Sequence, residues 1–297
     1  MTDAVGAKAA DPAAAESIVW VNGRQFETGP HVSAFDRGFT LADGLFETMR
    51  VRNQVVFRLD RHLARLARGM SALAIPAVPE LAGWIAEAQQ AARVESVLRL
   101  TVTRGAAAPG ILPPPGTRPT VVITLGPMPA FARTVYDVGL TGHVASGRRD
   151  GRARTAGLKS LAYTEGIVGT IEARAAGADE ALFLDVDGHC SEAAASNLFI
   201  WNNGLLMTPP ATCGALPGIT RAAVLELAAQ MNIPAAEREF GPDVLLAADE
   251  AFLTSSLRGL APLVRVGERR IGTGVPGPVT RQLSAGHDAL IDRECRR

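Results

Sequence analysis

The chain has 297 residues, enough for one large domain or two of ordinary size. It is 47% hydrophobic and 20% charged, a balance that excludes a disordered chain. Thirty basic residues offset thirty acidic ones, so no net charge draws it to nucleic acid or an anionic membrane.

Residues 1–16 are Ala-rich and hold both Asp and Glu, which fits neither a secretory nor a transit signal and predicts a loose tail. No apolar run approaches the roughly 20 residues of a membrane span, so the expected location is cytoplasmic. The alternating Ile18–Val21 followed by Asn22-Gly23 predicts a hairpin. Residues 42–51 form an apolar segment. Asp60 is a candidate cap for a helix over 61–74, where Leu63, Leu66, Met70 and Leu73 recur at spacings of three and four. A helix over 80–93, a half-buried strand at 98–102 and a strand at 120–125 follow. Residues 146–155, polar and basic with two glycines, predict a linker. Beyond it the pattern predicts helices over 161–176, 220–231 and 277–293. Strands are expected near 181–186, 197–201, 205–207, 251–254 and 263–266. The reading is an α/β protein with a small domain over 17–145 and a larger one over 156–297, their cleft being the expected site.

The three cysteines (190, 213, 295) and five histidines are widely spaced, which predicts no disulfide framework and no metal site. The 30 basic residues comprise 28 Arg and two Lys. Lys8 falls in the tail and Lys159 in mid-chain. In a chain that uses Arg for positive charge, Lys159 reads either as a chance surface residue or as a required primary amine, because guanidinium forms no Schiff base. Glu192 sits among small residues before an apolar strand. It is a candidate to hold a protonated ring nitrogen, or else an exposed turn residue. Gly214–Arg221 runs through Pro217-Gly218 into a helix, so Ile219 and Thr220 offer free backbone amides to an anion, or form a plain connection. Arg58 could clamp phosphate oxygens or be a surface arginine, and Thr254-Ser255-Ser256 could add hydroxyls and amides or form a plain strand-to-loop cap. An amine, a carboxylate, an amide cradle and a guanidinium are what pyridoxal phosphate requires.

Phe35–Arg50, Phe57–Leu66, Leu158–Tyr163, Ser191–Phe199, Thr208–Pro210 and Ala215–Arg221 together span most of the chain. In this order they resemble the class IV aminotransferases, pyridoxal-phosphate enzymes of fold type IV. These include branched-chain aminotransferases, D-amino acid transaminases and aminodeoxychorismate lyases. The resemblance implies a fold type IV architecture with pyridoxal 5′-phosphate in the interdomain cleft. Lys159 is then the Schiff-base lysine and general acid–base, and Glu192 holds the pyridine nitrogen. Arg58, Ile219, Thr220, Ser256 and Leu257 face the phosphate, Leu216 packs on the ring, and Tyr163 lies near the 3′-oxygen. Phe46, Thr48, Arg50, Arg104 and Arg258 are substrate candidates, and Arg99 is a further one for the carboxylate. Ala215–Arg221 and Gly277–Arg281 are similar to branched-chain aminotransferases. Phe46-Glu-Thr-Met-Arg50 and Thr254–Gly259 look more like the lyases, and no Pro-Arg-x-His follows Gly105 as in D-amino acid enzymes. The leading expectation is transfer of an amino group between an amino acid and a 2-oxo acid. The alternative is a lyase giving 4-aminobenzoate and pyruvate, and a third is a silent paralogue that only binds. The family also implies a homodimer or larger assembly.

Overall fold

The computed structural model describes residues 17–26 and 29–296; the expected tail lies outside them. The hairpin β1 (Ile18–Val21) and β2 (Arg24–Phe26) turns at Asn22 and Gly23, with φ of 49° and 78°. Both values are left-handed, as a tight hairpin turn with right-handed strand twist requires. After the short helix α1 (Arg37–Leu41) come β3 (Gly44–Arg52) and β4 (Val55–Val56), then helices α2 (Leu59–Ala72) and α3 (Leu81–Gln90). β5 (Glu95–Thr103) and β6 (Thr120–Pro127) complete an antiparallel sheet in the order β2-β1-β6-β5-β3-β4. Trp20, Met49, Leu98 and Leu100 from the sheet bury against Leu66 of α2 and Ile85 of α3. Asp60 lies inside the first turn of α2 rather than at its cap. Arg58 holds the cap position in the left-handed region, φ 54°.

The chain crosses to a second sheet through α4 (Thr134–Asp137). β7 (Leu140–Arg149) already contains residues 146–149, so the stretch read as a linker begins inside a strand. Its polarity reflects a strand end that opens toward the cleft. Helix α5 (Thr164–Ala175) leads to β8 (Glu180–Asp185), β9 (Cys190–Ala193), β10 (Asn197–Asn202) and β11 (Leu205–Thr208). After α6 (Ile219–Gln230) come β12 (Ala235–Glu237), α7 (Pro242–Leu246), β13 (Glu250–Ser255), β14 (Gly259–Val266), β15 (Arg269–Arg270) and α8 (Pro278–Glu294). The order is β12-β11-β10-β13-β14-β7-β8-β9, and β9 pairs back onto β10 at Glu192 and Asn197. That contact closes β10, β13, β14, β7, β8 and β9 into a ring packed with Leu182, Leu198, Ile200, Leu253 and Leu263.

Helices α6 and α8 cover β10 and β13, where Phe199 and Phe252 stack at 5.0 Å. Phe57, at the end of the first sheet, inserts into the same cluster and fastens the two halves together. No helix among the described residues is long and apolar enough to cross a membrane.

Candidate active site

A cavity of ≈ 770 Å³ opens between the two sheets. One wall comes from β3 and β5, the other from the ring. Residues 159–161 lie along the edge of β3 that β4 leaves uncovered: the Phe46 amide donates to the Lys159 carbonyl (2.9 Å) and the Leu161 amide to that of Gly44 (3.0 Å). This pairing brings the Lys159 amine over the Phe46 ring, 4.5 Å from its centroid, and 3.5 Å from the Tyr163 hydroxyl. Tyr163 meets Phe46 edge-on at 5.2 Å. Burial, then the guanidinium of Arg65, pulls the Lys159 amine down to about 8.

The opposite wall is a row across three strands. Glu192 on β9 faces Asn197 on β10, and Asn197 faces Thr254 on β13. All three line the cavity. Glu192 accepts the Leu216 amide (2.8 Å), and the Asn197 side-chain amide donates to the Leu216 carbonyl (2.7 Å). Both backbone groups of Leu216 are therefore held. Burial raises Glu192, against the pull of Arg149, whose Nε stands 3.5 Å away without an aligned hydrogen bond.

Helix α6 starts at this wall. Gly218 caps it with no side-chain acceptor, so the first-turn amides are left for another anion. A Cβ on Gly218 would stand 2.0 Å from Asn197 Oδ1, so any larger residue there would displace the Asn197 side chain that holds the Leu216 carbonyl. Gly218, Ile219 and Thr220 line the cavity here, and Ser256 and Leu257 in the turn after β13 do the same. The Thr254 hydroxyl is buried with no hydrogen-bond partner.

The cavity thus brings together Lys159, Tyr163, Glu192, Leu216, Ile219, Thr220, Ser256 and Leu257, with Phe46, Thr48 and Arg258 of the substrate candidates. Three expected residues lie elsewhere. Arg58, turned away by its left-handed backbone, pairs with Glu226 (2.7 Å) and Glu294 (3.1 Å). Arg50 pairs with Glu95 (3.2 Å), four strand positions or about 13 Å beyond Phe46. Arg104 spends its fork on Asp43 (2.7 and 3.0 Å) and on the carbonyls of Leu73 and Ala74, pinning the end of α2. Arg258 reaches the cavity but is paired with Glu180 (2.6 Å).

The guanidinium that takes the place expected for Arg58 is Arg65, on α2. It grips Glu47 through Nε (2.8 Å) and a terminal nitrogen (2.6 Å), and bonds the Pro217 carbonyl (2.9 Å) just before α6. Those bonds use three of five N–H groups, and the residue lines the cavity beside the α6 terminus. His62 closes the group, its Nδ1 2.7 Å from Glu47. Burial works to raise Glu47, but Arg65 and His62 hold its carboxyl below the ordinary range. The signal was present in Phe57–Leu66, where Arg58 and Arg65 stand seven apart on one helical repeat. Arg99, opposite Thr48 across β3 and β5, lies over Phe46 at 4.0 Å.

The solved structures most informative here are a branched-chain amino acid aminotransferase from Escherichia coli and a 4-amino-4-deoxychorismate lyase from Pseudomonas aeruginosa. The first is 28% identical and superposes with a TM-score of 0.87, covering 95% of this chain and 96% of the other. The second is 33% identical with a TM-score of 0.82, covering 94% and 100%. A D-alanine aminotransferase of Bacillus licheniformis is 31% identical over 89% of this chain and 94% of its own. Both solved structures have the fold type IV architecture, and so does this chain. The family model Amino-transferase class IV matches residues 44–266, a stretch that holds both walls of the cavity, from Phe46 to Arg258. The chain is therefore an enzyme and belongs to the class IV aminotransferases.

Proposed function

We propose that the protein moves an amino group between a branched-chain-like amino acid and a 2-oxo acid, with pyridoxal phosphate held in the cavity and joined to Lys159. The observation that carries this reading is Lys159 itself, an amine brought down to about 8 in a cavity that also holds an unprotected helix terminus. The residues present fit the cofactor. The α6 amides and Arg65 match a phosphate, the unpartnered Thr254 hydroxyl supplies a further donor, and Glu192 suits a ring nitrogen. When bound, pyridoxal phosphate supplies an electrophilic carbon and a ring that withdraws electrons from the substrate α-carbon.

The protein's own groups then divide the work. Lys159 Nζ would take the proton from the substrate α-carbon and deliver it to the cofactor carbon that receives the amino nitrogen. Glu192 holds a proton on the ring nitrogen; a cation there lowers the carboxyl that burial raises. Five arginines line the cavity, at 65, 99, 148, 149 and 258. Among the described residues, the Arg99 side chain alone of them makes no hydrogen bond or ion pair, and it is assigned to the substrate carboxylate. Phe46, Leu257 and Ile167 give an apolar surface that suits a branched side chain.

Thr48 favours a second reading. The residue lines the cavity beside its cross-strand neighbour Arg99, and the lyase from Pseudomonas aeruginosa is 33% identical. The test is a half-reaction. Holoenzyme is mixed with L-leucine, L-glutamate or D-alanine and no acceptor, and the cofactor absorbance is followed. Conversion to the amino form of the cofactor by one donor supports transfer and identifies its class and handedness. No conversion, with pyruvate released from aminodeoxychorismate, replaces the reading with the lyase.

A further inference from the structure

We infer that Asp185, His189 and Cys213 form a zinc-binding site behind the cavity wall. The three come from two separated segments. Asp185 ends β8 and His189 precedes β9, while Cys213 closes a short 3₁₀ turn, Ala211–Cys213. Sequence spacing predicts no metal here, because 24 positions separate His189 from Cys213 and only the fold joins them. One ligand atom from each residue lies within 4.8 Å of the other two.

The carboxylate is already oriented. Asp185 Oδ1 accepts the amides of Asp187 (3.0 Å) and His189 (2.8 Å). Oδ2 then stands 3.4 Å from His189 Nδ1 without an aligned hydrogen bond. Two ligands each about 2.1 Å from a tetrahedral ion stand about 3.4 Å apart, so that spacing suits a shared ion. The thiol of Cys213 is fully buried, its Sγ within 4.8 Å of the Asp185 and His189 ligand atoms. As zinc binds, the thiol proton leaves to solvent and a Zn–S bond forms. A thiolate, an imidazole and one carboxylate oxygen form a set for borderline-soft Zn²⁺ rather than for Mg²⁺ or Ca²⁺. Three protein ligands leave a fourth position for water. The His189 side chain, 38% exposed, marks the solvent side by which the ion enters.

The location gives the ion a structural task. Cys213 precedes Gly214, which lines the cavity, and Leu216, whose amide is held by Glu192. The Val186 amide donates to the Arg149 carbonyl (3.1 Å), and Arg149 faces Glu192. Zinc therefore ties the β8–β9 turn to the segment that sets Leu216 and Gly218, and this holds whether or not the proposed transfer reaction is correct.

The experiment uses holoenzyme purified without an affinity tag, stripped with a chelator and re-equilibrated with zinc alone. Zinc content is read by mass spectrometry and melting temperature by calorimetry. The expected result is one zinc per chain, a melting temperature several degrees higher with zinc, and loss of both in His189→Gln and Cys213→Ser. Cobalt in place of zinc should give the intense visible bands of a tetrahedral thiolate centre, at longer wavelength than the cofactor's. No zinc uptake by the wild type, or unchanged uptake in the variants, overturns the site. If Cys213→Ser does not fold, His189→Gln decides alone, because its half-exposed side chain leaves the core untouched.

Discussion

Lys159 carries a cost in stability that follows from its burial. Its folded pKa of about 8 lies below the usual 10.5 of a lysine, because burial disfavours the ammonium. Between those values the unfolded chain binds more protons than the folded one, so stability of the cofactor-free enzyme rises as pH climbs from about 8 toward 10.5. At pH 7 the penalty is present almost in full, on the order of 3 kcal/mol. Lys159→Met should therefore stabilise the cofactor-free protein at pH 7, with the advantage closing above pH 8 and all turnover lost. Denaturant titrations at pH 7 and 10 check this; an equal difference at both would contradict it. Arg65 and Arg58 make a second pair of opposite expectations. The two guanidiniums reach different partners, Arg65 to Glu47 and the Pro217 carbonyl, Arg58 to Glu226 and Glu294. Arg65→Met should release the cofactor and destabilise the fold by about 3–5 kcal/mol, since it strips a buried charge partner from Glu47. Arg58→Met breaks partly exposed pairs and should leave cofactor affinity unchanged. Equilibrium dialysis of the cofactor separates the two. The sequence alone could not choose between these arginines. The choice rests on the left-handed backbone at Arg58 and on which element lies beyond each side chain.

At the scale of elements, what was legible was what is local. The Asn22-Gly23 turn, the α2 repeat and the α6 start each carry their signal within a few residues. β7 and β9 were missed because their pairing is not local. β7 lies parallel between β14 and β8, and β9 is four residues that gain meaning by closing the ring on β10. That closure creates the Glu192–Asn197–Thr254 row, which no spacing along the chain reveals. Thr254 tests the row. A buried hydroxyl without a partner costs about 1–3 kcal/mol, whereas a hydrogen bond to a charged group returns about as much. Thr254→Val keeps the shape and removes the hydroxyl. It should raise the melting temperature of the cofactor-free enzyme and weaken pyridoxal-phosphate binding about tenfold. Opposite signs in the two measurements are the signature; a fall in both would mean that the hydroxyl serves packing and not the ligand.

At the scale of the whole molecule, α1 and the loop between β5 and β6 carry apolar surface that the core does not use. Phe35 and Phe39 are 66% and 78% exposed, and Ile111 and Leu112 are 83% and 87% exposed. They belong to one face. The Arg37 guanidinium donates to the carbonyls of Gly110 (2.6 Å) and Ile111 (2.9 Å), and Asp36 bridges to Ala106, so α1 and the 106–112 loop are held together. A nearly buried arginine, also paired with Asp43, fixes a loop of exposed apolar side chains, a patch of the kind that suits a protein contact. A second copy of the chain is the occupant that agrees with the homodimer implied by the family. Ile111→Asp with Leu112→Asp should then convert a dimer to a monomer in sedimentation. Neither residue touches the core, so the melting curve of the isolated monomer should keep its cooperativity. Loss of turnover along with the dimer would mean that the partner helps to complete the substrate pocket. Full turnover by the monomer would confine the pocket to one chain, and a double variant still dimeric would place the contact elsewhere.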